Sequence, residues 1–544
     1  MGKGMSSSNE FVLLAVDTAG IQKYIFNSNR LRENIGASYL VAAATEEWAL
    51  EAVRNASGGS HNIDDNGELN DSLTIEQSGL NAEVLYAGGG NFIVLFRNRD
   101  VARAFTGFLS RRVLTKAPGL RLMIHSIPFV WGRDPLGEKL GELLREMKEK
   151  RSRQSSVMPL AGLGVTVMCR STALPAVGPD PKSDNDELRP VSAEVLAKLD
   201  AVDDANAELR KNFPLDEYDY PLRMDDLGRE RGESSLVAVV HADGDGIGKK
   251  IEAIGESYLR ADQARAYITA LRNFSRQLEQ AAQNALQETL NRLEQAIVAS
   301  PDAAELIASQ RSDNNRPFLP FRPLVFGGDD VTFVCDGRIG LSLTLEYLRQ
   351  FELQTELQLG ERLTACAGVA IVKSHFPFAR AYDLAEQLTK SAKQYKREVA
   401  SGQSCIDWHF TTSGISGDLD RIRARDYETA LGSLTLRPVA LDGVGIRSWA
   451  TVEAGLKAFQ GKDWQGRRNK AKALREKLRG GPEAVREFTT IYGDTLPPII
   501  PFKDGWTITD DGKRYCGYFD ALELMDLHLP LTEQNNEIDP ETDA

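Results

Sequence analysis

Runs of apolar residues mark two openings of the same design along the chain. The first run, FVLLAVD over residues 11–17, ends on an acid and leads into a tract where Ile21, Ile25, Leu31, Ile35 and Leu40 form an irregular helical face. The pattern predicts strand, turn, helix. A polar stretch rich in Gly, Asn and Asp follows over 57–81, and then VLYAGGGNFIVLF sets two short apolar runs on either side of glycines, the pattern of a β-hairpin. The order then returns: LVAVVHADGDGIGKKI from residue 236, a Pro-free helical tract from Ile251 to about Ala299, and PLVFGGDDVTFVC.

The two copies align without a gap at their first motif. Asp17-Thr18-Ala19-Gly20-Ile21 lies against Asp243-Gly244-Asp245-Gly246-Ile247, and Gly88-Gly89-Gly90-Asn91 lies against Gly327-Gly328-Asp329-Asp330. Only Asp17 keeps its carboxylate in the first copy, so duplication with one degenerate member is the economical reading.

Between the copies, 171–233 is rich in Pro, Asp and Ser near its start and holds one plausible short helix, VSAEVLAKLDAVDDANAELRK, as expected of a connector or small inserted domain. Beyond the second hairpin, TACAGVAIV reads as a strand and AYDLAEQLTKSAKQYKR as an amphipathic helix. After Asp407 the chain is expected to be mainly helical. Its basic tract over 467–479 suits a solvated helix face better than an RNA contact, and its acidic tail NNEIDPETDA suits disorder. The expected division is a degenerate first domain over 1–130, a connector over 131–234, a catalytic domain over 235–415 and a helical domain over 416–544.

The totals narrow the classes. A chain of 544 residues exceeds a single hydrophobic core, and two to four domains are expected. A formal charge of −13 argues against a surface that is basic throughout, so polyanionic substrates must be met by metal ions and local Lys or Arg. No run approaches the roughly 20 apolar residues of a membrane span, and the N-terminus lacks the apolar core of a secretory signal, which makes a cytoplasmic location the expectation. The five cysteines are scattered without a CxxC pair, so buried reduced thiols are expected and zinc is not.

Asp243 ends an apolar strand, while Asp329 and Asp330 sit in a hairpin turn. If these strands are neighbours, the carboxylates meet at one sheet edge. Hard Mg²⁺ or Mn²⁺ takes oxygen ligands, and two ions about 3.5 to 4 Å apart activate a 3′-hydroxyl and stabilise leaving pyrophosphate. Gly244, Gly246, Gly327 and Gly328 allow triphosphate oxygens close to the backbone, and Gly246 and Gly248 open a helix near Ile247 whose first amides favour phosphate. Asp245 is either a further ligand or a turn-forming carboxylate. Lys393 is either a solvated helix lysine or a γ-phosphate contact. His241 is read as a structural, hydrogen-bonding histidine.

These motifs together, with DTAGIQKYIFNSNRLRENIGASYLV, YAGGGNFIVLF, DGDGIG, GGDD, CAGVAIV and SAKQYKR in order, resemble the CRISPR polymerase family, the large palm-domain subunit of type III CRISPR effector complexes. The resemblance implies an α/β (α+β) fold with two ferredoxin-like palm domains related to GGDEF and nucleotide cyclase domains, a connector and a C-terminal helical domain. It further implies ATP as substrate, cyclic oligoadenylate as product, two Mg²⁺ or Mn²⁺ ions on Asp243, Asp329 and Asp330, and triphosphate contacts from Lys393 and, as a companion, Ser391. The implied partners are RNA, CRISPR effector subunits or a cyclic-nucleotide-gated effector. None of the six histidines precedes an Asp, and Cys169 has no partner for the family's zinc motif, so neither the HD nuclease nor the zinc is expected and a compact relative is. Two other readings stand beside it: a non-catalytic nucleotide-binding scaffold of an RNA-guided complex, and a diguanylate-cyclase-like enzyme.

Overall fold

A computed structural model of the chain describes residues 9–153, 164–181, 189–227, 236–307, 310–411, 418–443, 445–493, 495–510 and 512–531. By Cα proximity the chain divides into two compact units, Met1–Leu215 with Gly246–Ala282 and Leu324–Asp330, and Asp216–Asp245 with Gln283–Pro323 and Val331–Ala544. The acidic tail lies outside the described residues.

The first apolar run forms β1 (Glu10–Ala19). The tract after it is three helices, α1 (Ile21–Phe26), α2 (Leu31–Thr45) and α3 (Glu47–Ser57), which explains why its apolar spacing is irregular. The glycine-centred runs form β2 (Ala82–Gly88) and β3 (Asn91–Phe96), followed by α4 (Arg99–Lys116), β4 (Arg121–Val130) and α5 (Leu136–Arg153). Asn98 caps α4 by accepting from the amides of Asp100 and Val101, satisfying two donors that a helix start leaves open. The strands pair antiparallel in the order β2-β3-β1-β4. Phe11, Leu13 and Ala15 on one face of β1 join Leu140, Leu143 and Met147 of α5 in one buried cluster, and Val12, Leu14 and Val16 on its other face are buried too, so the strand reads as a continuous apolar run.

The connector carries the two-residue strands β5 (Gly178–Pro179) and β6 (Pro190–Val191) and, in place of the one helix expected, α6 (Ala193–Asp200) and α7 (Val202–Asn212). In α6 the backbone carbonyl of Lys198 lies where a Cβ on Gly36 would sit, 1.7 Å away, so α2 and α6 approach closely only because residue 36 is glycine.

The second apolar opening forms β7 (Leu236–Gly244), with α8 (Ile247–Glu256) and then α9 (Ala264–Ala299) and the short α10 (Pro301–Ala304). The single helical tract expected from Ile251 to Ala299 is therefore broken, with a 3-10 turn over Ala261–Gln263. Then come β8 (Phe321–Gly327), β9 (Asp330–Asp336), α11 (Gly340–Leu359), β10 (Ala365–Lys373), α12 (Phe378–Glu398) and β11 (Cys405–Thr411). The sheet runs β14-β11-β10-β7-β9-β8, where β14 is a two-residue strand of the C-terminal region.

Within it, β8-β9-β7-β10 repeats the order β2-β3-β1-β4, and both copies run strand, helices, two strands, helix, strand. The backbone repeats as well: Gly20 and Gly246 have φ of 72° and 77°, and Gly89 and Gly328 of 57° and 61°. The duplication read from the motifs is thus a duplication of the α/β palm fold.

The C-terminal region is mainly helical, with short strands among its helices. Beside α13 (Leu419–Asp426), it holds β12 (Glu428–Thr429), β13 (Gly432–Ser433) and β14 (Val439–Ala440), then α14 (Trp449–Gln460), α15 (Arg468–Leu478) and α16 (Gly481–Tyr492). It closes with β15 (Trp506–Ile508), β16 (Arg514–Cys516) and α17 (Phe519–Leu524), and a four-stranded sheet β12-β13-β16-β15 forms there. Strands of two or three residues are too short for a period to register. The basic tract is α15, whose Ala471, Leu474 and Leu478 are buried and whose charged residues occupy the other positions. All five cysteines are buried and free.

Candidate functional site

Period two decides which side chains β7 offers to one face: His241, Asp243 and, just past the strand, Asp245. Strand β9 begins on Asp330 and carries Thr332 on the same face. In the first palm the aligned residues Asp17 and Asn91 are direct cross-strand partners, which is the register that brings the acids together in the second. There, one ligand atom each from His241, Asp243 and Asp330 lies within 4.8 Å of the others. Two carboxylates and an imidazole converging at that distance fit a divalent cation. Asp329, at the tip of the turn and half-buried, is not one of these three, although its charge contributes to holding the Tyr86 phenol above its ordinary range, where burial is the larger cause.

His241 is buried and accepts or donates at Nδ1 with Thr332 Oγ1 at 3.2 Å, and its carbonyl accepts from Thr389 Oγ1 at 2.8 Å. Burial pushes its pKa down, and the neighbouring Asp243 only partly offsets that. It is the hydrogen-bonded histidine expected, and it also borders the acidic pair.

Helix α12 supplies the counter-charges. A Cβ on Gly368 of β10 would lie 2.1 Å from the Ala385 carbonyl, so the bare glycine lets α12 pack directly on the sheet. From there Lys393 Nζ reaches Asp243 Oδ2 at 2.6 Å and the Gly244 carbonyl at 3.3 Å. Burial disfavours the ammonium, but the bond to Asp243 and the field of Asp245 outweigh it and hold Lys393 above the ordinary lysine range.

Lys396, three residues on and so on the same helix face, pairs with Asp245 Oδ2 at 2.6 Å and also bonds Thr364. Asp245 further accepts from the Cys366 thiol at 3.3 Å, and its amide donates to Thr364 O at 2.9 Å. Asp245 is thus tied to Lys396, and Lys396 is a residue the sequence reading did not single out. Its only sequence signal is the Lys-x-x-Lys spacing facing Asp-x-Asp. Ser391 accepts from Arg423 Nη1 at 2.9 Å, and Arg423 also binds the buried Asp407, so the serine helps seat α13.

The glycines leave open backbone. Gly246 is the left-handed residue before α8, and a Cβ on Gly246, Gly248, Gly327 or Gly328 would meet nothing within 4 Å. Packing does not call for glycine at these four positions, which fits close approach of a ligand to the backbone.

Among the described residues no helix is long and apolar enough to cross a membrane. No curated protein sequence matches the chain. Residues 236–400 match the family model of the Cas10/Cmr2 second palm domain. Solved structures share the fold at low identity. The Csm1-Csm4 cassette in complex with cA4 has a TM-score of 0.53 and 14% identity, covering 95% of this chain and 70% of that one. The same cassette with AMPPNP has a TM-score of 0.53 and 14% identity, covering 95% and 69%. Csm1 from T.onnurineus has a TM-score of 0.52 and 15% identity, covering 96% and 70%. Residues 236–400 are thus similar to the Cas10/Cmr2 second palm domain, and the fold of the chain is shared with Csm1.

Proposed function

We propose that the protein is a metal-dependent nucleotidyltransferase that joins ATP into cyclic oligoadenylate and releases pyrophosphate, within antiviral defence signalling. The observation that carries this reading is the convergence of Asp243 and Asp330 on neighbouring strands, beside a lysine from α12 and glycines with open backbone. The similar Csm1-Csm4 cassette forms complexes with AMPPNP and with cA4, which supports the same substrate and product class.

In this reading Asp243 and Asp330, with Asp329 from the turn, hold two Mg²⁺ or Mn²⁺ ions. When bound, such ions lower the pKa of a 3′-hydroxyl and neutralise charge on the phosphates. Lys393 exchanges its carboxylate partner for a triphosphate oxygen, and the amides after Gly246 and Gly328 orient the phosphates. Positioning and charge neutralisation supply most of the rate, so no side-chain general base is assigned. The domain division at 1–130, 131–234, 235–415 and 416–544, and a Csm4-type partner subunit, belong to the same proposal.

Incubation of the purified protein with ATP and Mg²⁺ or Mn²⁺, followed by mass spectrometry, tests it. Oligoadenylates and pyrophosphate are expected from the native protein and not from an Asp329→Ala, Asp330→Ala variant. ATP left intact by both, with target RNA present, would refute the enzyme and favour a scaffold.

A further inference from the structure

A cavity of about 830 Å³ opens in the C-terminal region over the small sheet of β12, β13, β15 and β16. Its lining includes Arg423, Arg437, Arg447, Lys513 and Arg514 against one carboxylate, Glu428. Charge of one sign gathered on a concave wall concentrates anions.

The five cations are not equivalent. Arg423 is held by the buried Asp407, and Arg437 by Asp520 at 3.2 Å and by Glu523, so these two form a fixed, compensated floor. Arg447 and Arg514 have no carboxylate within 4.0 Å among the described residues, though both are half-buried. Arg447 is nonetheless fixed in place. Its Nε donates to the Leu436 carbonyl at 2.7 Å and its guanidinium lies 4.0 Å over the Tyr395 ring, with the Tyr515 ring 5.7 Å away.

A guanidinium oriented by a ring and a carbonyl, with its terminal nitrogens unpaired by acid, is prepared for bidentate binding of phosphate. The cavity has the size of a small-molecule site and is too small for a folded partner. Tyr515 and Arg447 offer stacking surface for a base. We infer that this cavity binds a nucleotide carrying two or more phosphates, held by Arg447 and Arg514 and stacked on Tyr515, separately from the palm site.

Equilibrium dialysis of the full chain with labelled ATP in EDTA tests this. Removing divalent ions silences the metal-dependent palm site. Binding is expected in the native protein and in the Asp329→Ala, Asp330→Ala variant, with displacement by pyrophosphate and not by adenosine. Arg447→Gln and Arg514→Gln are each expected to weaken it about tenfold, the loss of one charge-assisted contact. The Arg514 side chain bonds no other described residue, so its variant changes the site without removing a structural contact. No ATP binding, binding unchanged by Arg514→Gln, or binding lost in the Asp329→Ala, Asp330→Ala variant would each overturn the proposal; the last would assign the ATP to the palm site instead.

Discussion

Lys393 Nζ lies 2.6 Å from Asp243 Oδ2, and the first palm repeats the arrangement with Arg151 Nη1 at 3.3 Å from Asp17 Oδ2. In both copies the acid at the end of the first strand meets a cation from the helix that follows the fourth strand. The lysine is a competitor for the carboxylate that a cation needs. Lys393→Gln is therefore expected to tighten Mn²⁺ binding, read by electron paramagnetic resonance titration, while lowering nucleotide turnover by about 10- to 100-fold. Weaker Mn²⁺ binding in the variant would show that Lys393 supports the ion site instead of competing for it.

Two glycines separate backbone strain from packing. Gly246→Ala places a Cβ in open space at φ 77°, so about 1 kcal/mol of stability is expected to be lost through the left-handed conformation alone. Gly368→Ala drives a Cβ against the Ala385 carbonyl of α12 and is expected to cost about 1 to 3 kcal/mol by overpacking. It also pushes Lys393 away from Asp243. Chemical denaturation of both variants, with equal losses, would contradict this account of how α12 is seated.

Glu83 is fully buried on β2 and ion-pairs Arg265 at 2.6 Å and Arg272 at 2.9 Å, with the Ile75 amide donating to it at 2.9 Å. Removing one member of such a buried group strands the others. Glu83→Ala is expected to destabilise its unit by about 3 to 5 kcal/mol. A melting temperature within a degree or two of the native value, on the order of what a surface substitution gives, would show that water replaces the carboxylate.

His409 on β11 is buried near Arg437 and Arg423, and burial first, then those charges, lower its pKa from 6.5 to about 3. The folded state therefore keeps it neutral while the unfolded chain takes up a proton. Stability from this group is fully present above pH 6.5 and is lost as pH falls from 6.5 towards 3, by about 2 kcal/mol at pH 5. Melting curves at pH 7.5 and about pH 5 should show a smaller drop for His409→Gln than for the native protein; an equal drop would place the acid sensitivity elsewhere.

What was legible in the sequence follows from length and period. The strands ending on Asp17 and Asp243 and the two glycine hairpins were readable because buried runs end abruptly on turn residues. β4 was not, since its RLMIHSIPFV places exposed and buried positions unevenly and contains Pro128. The pairing of Asp243 with Asp330 needed only neighbouring strands, and so could be expected. The link between Lys396 and Asp245 depends on how closely α12 approaches β10 at Gly368, which no pattern of single residues encodes. The cavity walls of the C-terminal region come from segments some 90 residues apart in sequence, Arg423 and Arg514 among them, and from strands too short to have a period.

The central claim is that of two equivalent strand-end acids, only the one in the second palm carries chemistry. Pyrophosphate release from ATP with Mn²⁺, measured for Asp17→Asn and Asp243→Asn side by side, tests it most directly. The expected result is activity within a few-fold of native for Asp17→Asn and a loss of about a thousandfold or more for Asp243→Asn. Equal losses in the two variants, or native activity in Asp243→Asn, would contradict it.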